Sequence, residues 1–463
     1  MRSPMTRRWA TSLLFITAAG CGSSSPPAEQ NISTSGVQQA GGGASGSAAG
    51  GSGGGASTGS GSGSPGGGST SGVAPVTSGS QASGANGLDA STAGSSADAN
   101  APPGTSPTGN DASAGAQTQD AASGAEGGAE DAGPPAVRFV GRVDNTSATG
   151  PRFAWPGSTI LARFTGSTIG VRLSGPTTYF DVSIDGKMQS TPLIISPATT
   201  SYPLATGLSS GPHELTVYRR NEAGIGGTGD TTFLGLILDP AGALLPPSLP
   251  SARRIEIVGD SITSGFGDES VGGACPNQLA AQDYDVAYGA VAARTLGADL
   301  ITIAWTGKGM YRNSGGDTTN TMPILYGRTL PDETTSTWDF TSWIPDAVVI
   351  YLGNNDFGQG DPGQPYVTTY KAFIARVRMY YPNAFIVCTI GPNLMDPKLS
   401  EERTYVQGIV ADETAAGDKN IDFLEMPQPT AAEGTGCGGH PLAVTHARMG
   451  AALVTELQTK LGW

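Results

Sequence analysis

The stretch Ile255-Glu256-Ile257-Val258-Gly259-Asp260-Ser261-Ile262-Thr263 reads as a buried strand running into a serine-bearing turn. Its β-branched run is that of a parallel strand covered on both faces, and Gly259 is expected to supply a sharp turn there. Ser261 would then stand at the carboxyl end of the strand, where open α/β sheets place their sites. A serine hydroxyl is a weak nucleophile by itself. The chemistry therefore requires a general base and donors for an oxyanion elsewhere in the chain, and without them Gly-Asp-Ser is an ordinary turn.

Downstream, strands and helices alternate. A helix is expected near Tyr288 to Leu296, a strand at Leu300 to Trp305 and a strongly apolar strand at Ala347 to Leu352. A helix from about Val367 to Tyr380, opened by a Thr pair, precedes the strand Ala384 to Ile390. A helix around Glu401 to Ala411, a strand near Phe423 and a final helix His446 to Leu461 complete the series. This repetition means a parallel sheet covered on both faces, an α/β domain assigned to residues 249–463.

Upstream the pattern is different. Thr159 to Phe164, Ile169 to Leu173, Phe180 to Ile184 and Glu214 to Arg219 alternate apolar with polar, and Asp185-Gly186 stands in hairpin position. Short strands at this spacing predict an all-β sandwich over 136–248, acting as a packing and spacer domain or as a carbohydrate-contacting module. Leu244 to Pro250, with three prolines, reads as a stiff connection between the two domains.

Residues 22–135 contain no Lys, Arg, Trp, Tyr or Phe. Such a Gly/Ser/Ala-rich stretch cannot bury enough apolar area to offset the entropy of ordering it, so it is expected to be a disordered tether with an end-to-end distance of roughly 60 Å. Ahead of it, Arg2, Arg7 and Arg8 precede the short apolar run Trp9 to Ala19, the layout of a secretory signal. The run ends in Ala18-Ala19-Gly20-Cys21, which resembles a bacterial lipobox. It implies a signal peptide over 1–21 and lipidation of Cys21, hence a chain held at a membrane of the bacterial cell envelope by an N-terminal lipid anchor. Gly22 after the cysteine resembles the pattern left for the outer membrane.

The formal charge of −14 is unevenly spread. Residues 1–21 carry three arginines and no acid, and 22–135 carry eight acids and no base, which leaves −9 on the rest. A folded part of that balance has no basic field, so nucleic acid is excluded as a partner. His213, His440 and His446 are the only histidines, and no Cys/His spacing suits a metal. No metal and no cofactor are expected.

In a parallel sheet the loops after the strands share one edge, and four of them carry suitable groups. They are Gly259-Asp260-Ser261, Ala304-Trp305-Thr306-Gly307-Lys308-Gly309-Met310-Tyr311, Leu352-Gly353-Asn354-Asn355-Asp356 and Gly438-Gly439-His440-Pro441. They offer a nucleophile, close-approaching backbone N–H groups, an amide donor and a base.

Together these blocks resemble the SGNH, or GDSL, hydrolases. Gly-Asp-Ser-Ile-Thr-x-Gly-Phe-Gly, Thr-Gly-Lys-Gly-Met-Tyr-Arg-Asn, Asn-Asn-Asp-Phe and Gly-Cys-x-x-His-Pro-x-x-x-x-His are similar to carbohydrate esterase family 2, over about residues 137–463. The resemblance implies a three-layer sandwich with a central parallel sheet behind a jelly-roll-like β-sandwich. It also implies a serine esterase, acetylxylan esterase-like, that removes acetyl groups from sugar hydroxyls of polysaccharides such as xylan or mannan. Ser261 would be the nucleophile and His440 the base. The Ser261 and Gly307 N–H groups and the Asn355 amide would hold the oxyanion, with Gly309 as the alternative to Gly307. His446 is expected to pack or cap at the start of its own helix.

One departure stands out. The family usually carries Asp-Trp immediately before His-Pro, where this chain has Gly438-Gly439. His440 would then be oriented by a backbone carbonyl or another acid, and a sugar platform is lost. With Cys21 assigned to lipid, Cys275, Cys388 and Cys437 remain, and one disulfide with one free thiol is the simplest count. Cys388 lies in an apolar strand. If Ser261 and His440 meet, the loops bearing Cys275 and Cys437 are neighbours, and these two cysteines are either bridged or both free. The competing functions are a noncatalytic polysaccharide-binding lipoprotein, and a lipase or thioesterase of the same superfamily. The polar candidate loops weigh against the second, because an acyl chain needs apolar surface.

Overall fold

The computed structural model describes residues 136–270 and 272–463; the expected signal segment, Cys21 and the tether lie outside the described residues. The chain first forms β1 (Val137–Val140), β2 (Arg152–Phe153), β3 (Thr159–Thr165), β4 (Ile169–Ser174), β5 (Thr178–Ile184) and β6 (Lys187–Met188). β7 (Leu193–Ile195), β8 (Ser201–Ala205), β9 (Pro212–Arg219), β10 (Thr231–Leu238) and β11 (Ala243–Leu245) follow. One antiparallel sheet runs β1-β3-β9-β5-β6, with β11 on β3 and β7 on β5; the other runs β2-β10-β4-β8.

The alternation of these strands sends one side of each inward. Ile160, Phe164, Val171, Leu173, Phe180, Val182, Leu215 and Val217 form a shared core. Asp185 and Gly186 join β5 to β6 as the two-residue hairpin expected, both with positive φ. The connection to the next domain differs from expectation at its start. Leu244 pairs with Phe164 in the sheet, so its apolar side chain belongs to a strand and only the proline-bearing residues beyond it form the link.

The second domain contains β12 (Arg254–Gly259), α1 (Tyr288–Leu296), β13 (Asp299–Ala304), α2 (Met322–Leu325), β14 (Ala347–Tyr351) and α3 (Asn354–Gly358). It continues with α4 (Gln364–Tyr380), β15 (Phe385–Ile390), α5 (Lys398–Ala415), β16 (Ile421–Glu425) and α6 (Ala443–Leu461). The five strands are parallel in the order β13-β12-β14-β15-β16. Alternate residues of each strand serve opposite faces. Ile257, Val349 and Val387 pack with Tyr288 and Leu296 of α1 and Met449 and Leu453 of α6, whereas Val258, Ile350 and Ile386 pack with Phe373 and Val377 of α4 and Val406 and Ile409 of α5. Three layers result. α4 begins earlier than the Thr pair suggests, because Pro365 fits the first helical turn, where its missing N–H has no partner to lose.

Glu256 interrupts the apolar run of β12 and is fully buried. It pairs with Arg142 of the sandwich at 3.3 Å and accepts from the Tyr326 hydroxyl at 2.6 Å. A buried carboxylate is tolerated only when paired and hydrogen-bonded, and its partner here comes from the other domain. Arg220 to Asp283, at 3.0 Å, is a second such link. The sandwich and the α/β domain are thus packed against each other, with ionic contacts sealed inside.

Candidate active site

The sheet order reverses at β12, with β13 on one side and β14 on the other, which opens a crevice at their carboxyl ends. Ser261, Gly307 and Asn355 follow these three strands. Gly259 does not make the turn. It ends β12, and a Cβ there would fall within 1.9 Å of the Thr263 Oγ1, so a glycine is required for close approach. The turn itself is closed by the Ser264 N–H donating to the Asp260 carbonyl at 3.0 Å and the Phe266 N–H donating to the Ser261 carbonyl at 2.9 Å.

The structure brings His440 to Ser261: the imidazole Nε2 lies 2.8 Å from the serine Oγ. The other ring nitrogen, Nδ1, lies 3.2 Å from the carbonyl oxygen of Cys437. A carbonyl only accepts, so Nδ1 carries the proton and the Nε2 lone pair faces the serine. Burial pushes the His440 pKa below its usual 6.5, against the opposing hydrogen bonds to the backbone of Cys437 and Gly438. The ring also meets the edge of Phe266, with centroids 4.9 Å apart.

Cys437 is joined to Cys275 by a disulfide, with Cα atoms 5.2 Å apart, and Cys388 is a buried free thiol in β15. The bridge ties the loop bearing His440 to the loop that follows Ser261. Gly438 and Gly439 adopt φ of 64° and 78°, left-handed values that turn the chain from the disulfide to His440.

Around Gly307 the chain turns tightly, the Lys308 N–H donating to the Trp305 carbonyl at 3.2 Å. Among the described residues the Ser261 and Gly307 N–H groups have no protein acceptor, whereas the Gly309 N–H donates to the Asn313 Oδ1 at 3.3 Å. Gly309 is further enclosed by the Arg312 carbonyl and the Asp356 carboxylate, so its amide is not free for a ligand. The Asn355 Nδ2 donates to the Lys308 carbonyl at 2.8 Å and makes a longer 3.3 Å contact with the Asp260 carboxylate.

His446 lies apart from this constellation. It is fully buried, stacked on Tyr288, and its Nδ1 accepts the Tyr288 N–H at 3.2 Å, so it caps α1 rather than its own helix. Burial, and secondarily the nearby His440, pushes its pKa down to about 3.

Residues 139–247 match the family described as Carbohydrate esterase 2 N-terminal, and residues 257–448 match the GDSL-like Lipase/Acylhydrolase family. The solved structure of a family two carbohydrate esterase from Clostridium thermocellum, in complex with cellohexaose, is 35% identical to this chain. The match covers 71% of this chain and 99% of that one, with a TM-score of 0.67. The chain belongs to carbohydrate esterase family 2. Among its relatives in the family are the cellulase/esterase CelE of Acetivibrio thermocellus, 35% identical over 331 residues, and an acetylxylan esterase / glucomannan deacetylase of Cellvibrio japonicus, 27% identical over 334. The matched part is 71% of this chain in both cases; it is 40% of the first relative and 90% of the second.

Two acids of this family 2 chain escaped the sequence reading. Asp356, buried behind the site, accepts the N–H groups of Met310, Tyr311 and Arg312 at 2.8, 2.7 and 2.8 Å and so fixes the loop after β13. Burial outweighs these bonds and raises its pKa to about 6. The Asn-Asn-Asp-Phe block could have signalled it. Glu222, from the sandwich, accepts the Thr306 N–H at 2.7 Å, and burial raises its pKa to about 7. No spacing connects it to the catalytic blocks.

Proposed function

We propose that the protein is a serine esterase that removes acetyl groups from sugar hydroxyls of polysaccharides such as xylan or mannan. The observation that carries this reading is the 2.8 Å contact between the Ser261 Oγ and the His440 Nε2, beside two backbone N–H groups that have no acceptor among the described residues. Ser261 attacks the ester carbonyl as His440 takes its proton. The tetrahedral oxyanion is held by the Ser261 and Gly307 N–H groups and by Asn355, which gives up its long contact to Asp260. Each such donor contributes on the order of 3 kcal/mol. His440 then protonates the departing sugar alkoxide. Water, deprotonated by the same imidazole, attacks the acetyl-enzyme; as the bond between the acyl carbon and the Ser261 Oγ breaks, His440 returns that proton to the serine oxygen and acetate leaves.

This is a dyad with a backbone orienter. The Cys437 carbonyl takes the orienting role that an aspartate plays in a triad, fixing tautomer and ring direction without a full charge. The disulfide at the same residue supports that role. We further propose that lipidated Cys21 anchors the chain in the bacterial cell envelope, with residues 22–135 as the tether; mass spectrometry of the mature N-terminal peptide tests this, and an unmodified Cys21 overturns it.

Substrate class is tested with acetylated xylan and glucomannan beside p-nitrophenyl esters of increasing chain length. Release of acetate from the polymers, with turnover falling beyond short acyl groups, supports the reading. Preference for long acyl chains makes the protein a lipase, and polymer binding without turnover makes it a noncatalytic binder.

A further inference from the structure

The segment between β9 and β10 leaves the sandwich and enters the catalytic domain. The Asn221 side chain donates to the carbonyl of Leu279 at 3.0 Å, and the Glu222 N–H donates to the Gln282 Oε1 at 3.1 Å. The Gln282 side chain in turn donates to the Ser264 carbonyl at 2.9 Å, and the Ser264 hydroxyl donates to the Ser261 carbonyl at 3.0 Å. The sandwich is thereby connected to the nucleophile turn through a short run of buried hydrogen bonds.

The same segment also reaches the other two sides of the site. Ile225 shares an apolar cluster with Phe266, which meets the His440 ring, and with Cys437, whose carbonyl orients that ring. Gly224 lies against Trp305, where a Cβ would come within 2.6 Å of the indole. The Glu222 carboxylate, with no exposed surface, accepts the N–H of Thr306 through Oε2, while its Oε1 is buried and finds no hydrogen-bond partner among the described residues.

Thr306 and Gly307 are the two central residues of the Trp305 to Lys308 turn. One N–H is held by Glu222, and the next has no acceptor among the described residues. We propose that Glu222 is a positioning residue for ester hydrolysis, holding the Thr306 amide from the sandwich side so that the Gly307 N–H faces the developing oxyanion. This rests on the esterase reading above. It makes the sandwich part of the catalytic machinery. An oxyanion donor is effective only when its direction is set before the charge develops; the Trp305 end of this turn is held by its N–H donating to the Gly259 carbonyl at 3.3 Å, and Glu222 holds the Thr306 amide inside the turn. Burial raises the Glu222 pKa to about 7 against the Thr306 and Ser264 groups that favour the charged form, a cost that packing alone does not account for.

The test compares Glu222→Ala and Glu222→Gln in the full chain. The readouts are kcat and KM on p-nitrophenyl acetate, the rate at which an alkyl fluorophosphonate labels Ser261, and the melting transition. Glu222→Ala is expected to lower kcat and the labelling rate roughly 10- to 100-fold, with KM within about twofold and melting still cooperative. Glu222→Gln keeps an oxygen for the Thr306 N–H and is expected to recover most of the loss. If Glu222→Ala does not fold, Glu222→Asp, one methylene shorter, carries the same expectation. A folded variant with unchanged kcat overturns the proposal, as does equal loss in the Ala and Gln variants tracking a loss of melting cooperativity. A wild-type enzyme inert to the phosphonate defeats the esterase reading itself and this inference with it.

Discussion

The carbonyl oxygen of Cys437 lies 3.2 Å from the Nδ1 of His440, where an acid would otherwise stand, and the same cysteine is bonded through its sulfur to Cys275. One residue thus sets both the direction of the imidazole and the position of its loop. A carbonyl lends the imidazolium no full negative charge, so burial prevails and His440 titrates below 6.5. The base works only when neutral. kcat/KM is therefore expected to be level above that lowered pKa and to fall as pH drops through it, so the acid limb lies below pH 6.5. A profile of kcat/KM against pH with its acid inflection above 6.5 contradicts this assignment.

The disulfide closes a span of 162 residues, for which loop entropy alone contributes about 5 kcal/mol. Cys437→Ser, or reduction, is expected to lower the melting temperature and to reduce kcat about tenfold through a less ordered His440. Steady-state kinetics with and without reductant checks both effects. An equally active reduced enzyme would show that the Cys437 peptide holds its place without the bridge.

Restoring the family's usual pair should not restore a triad. Gly438 and Gly439 have left-handed φ, and a Cβ on Gly438 would come 3.2 Å from the His440 Nδ1. The double change Gly438→Asp, Gly439→Trp is expected to cost about 1–2 kcal/mol per strained residue and to leave kcat no higher. Thermal melting and turnover of the double variant decide it, and a gain in kcat would mean that the loop re-forms around the new acid.

Asp356 gathers three backbone N–H groups, so Asp356→Asn turns an amide NH2 toward at least one of them. A stability loss of about 1–3 kcal/mol is expected, with lower kcat as the loop bearing Gly307 shifts. Urea denaturation beside kinetics checks it; unchanged values in both would remove Asp356 from the account.

Much of this was readable from the chain because three of the four blocks closely follow a strand. Ser261 after β12, Gly307 after β13 and Asn355 after β14 inherit their convergence from the sheet, and sequence adjacency records it. His440 was readable from its place ahead of the last helix. Glu222 was not, because its contact with Thr306 exists only through the docking of one domain on the other. Nothing in the strand's sequence accounts for Glu256, which Arg142 makes a buried interdomain ion pair. His446 was placed at its own helix start, and only the packing of α6 on α1 shows that it caps the neighbour. Gly259 was read as a turn former for want of any sign that Thr263 folds back over it.

We propose that Ser261, activated by His440, carries the ester chemistry. Acetate released from acetylated xylan by the wild-type protein and by Ser261→Ala, each shown to be folded by its melting transition, tests it most directly. Steady release by the wild type is expected, with less than about 1% of that rate from the variant. A folded Ser261→Ala protein that keeps more than a few per cent of the wild-type rate would contradict it.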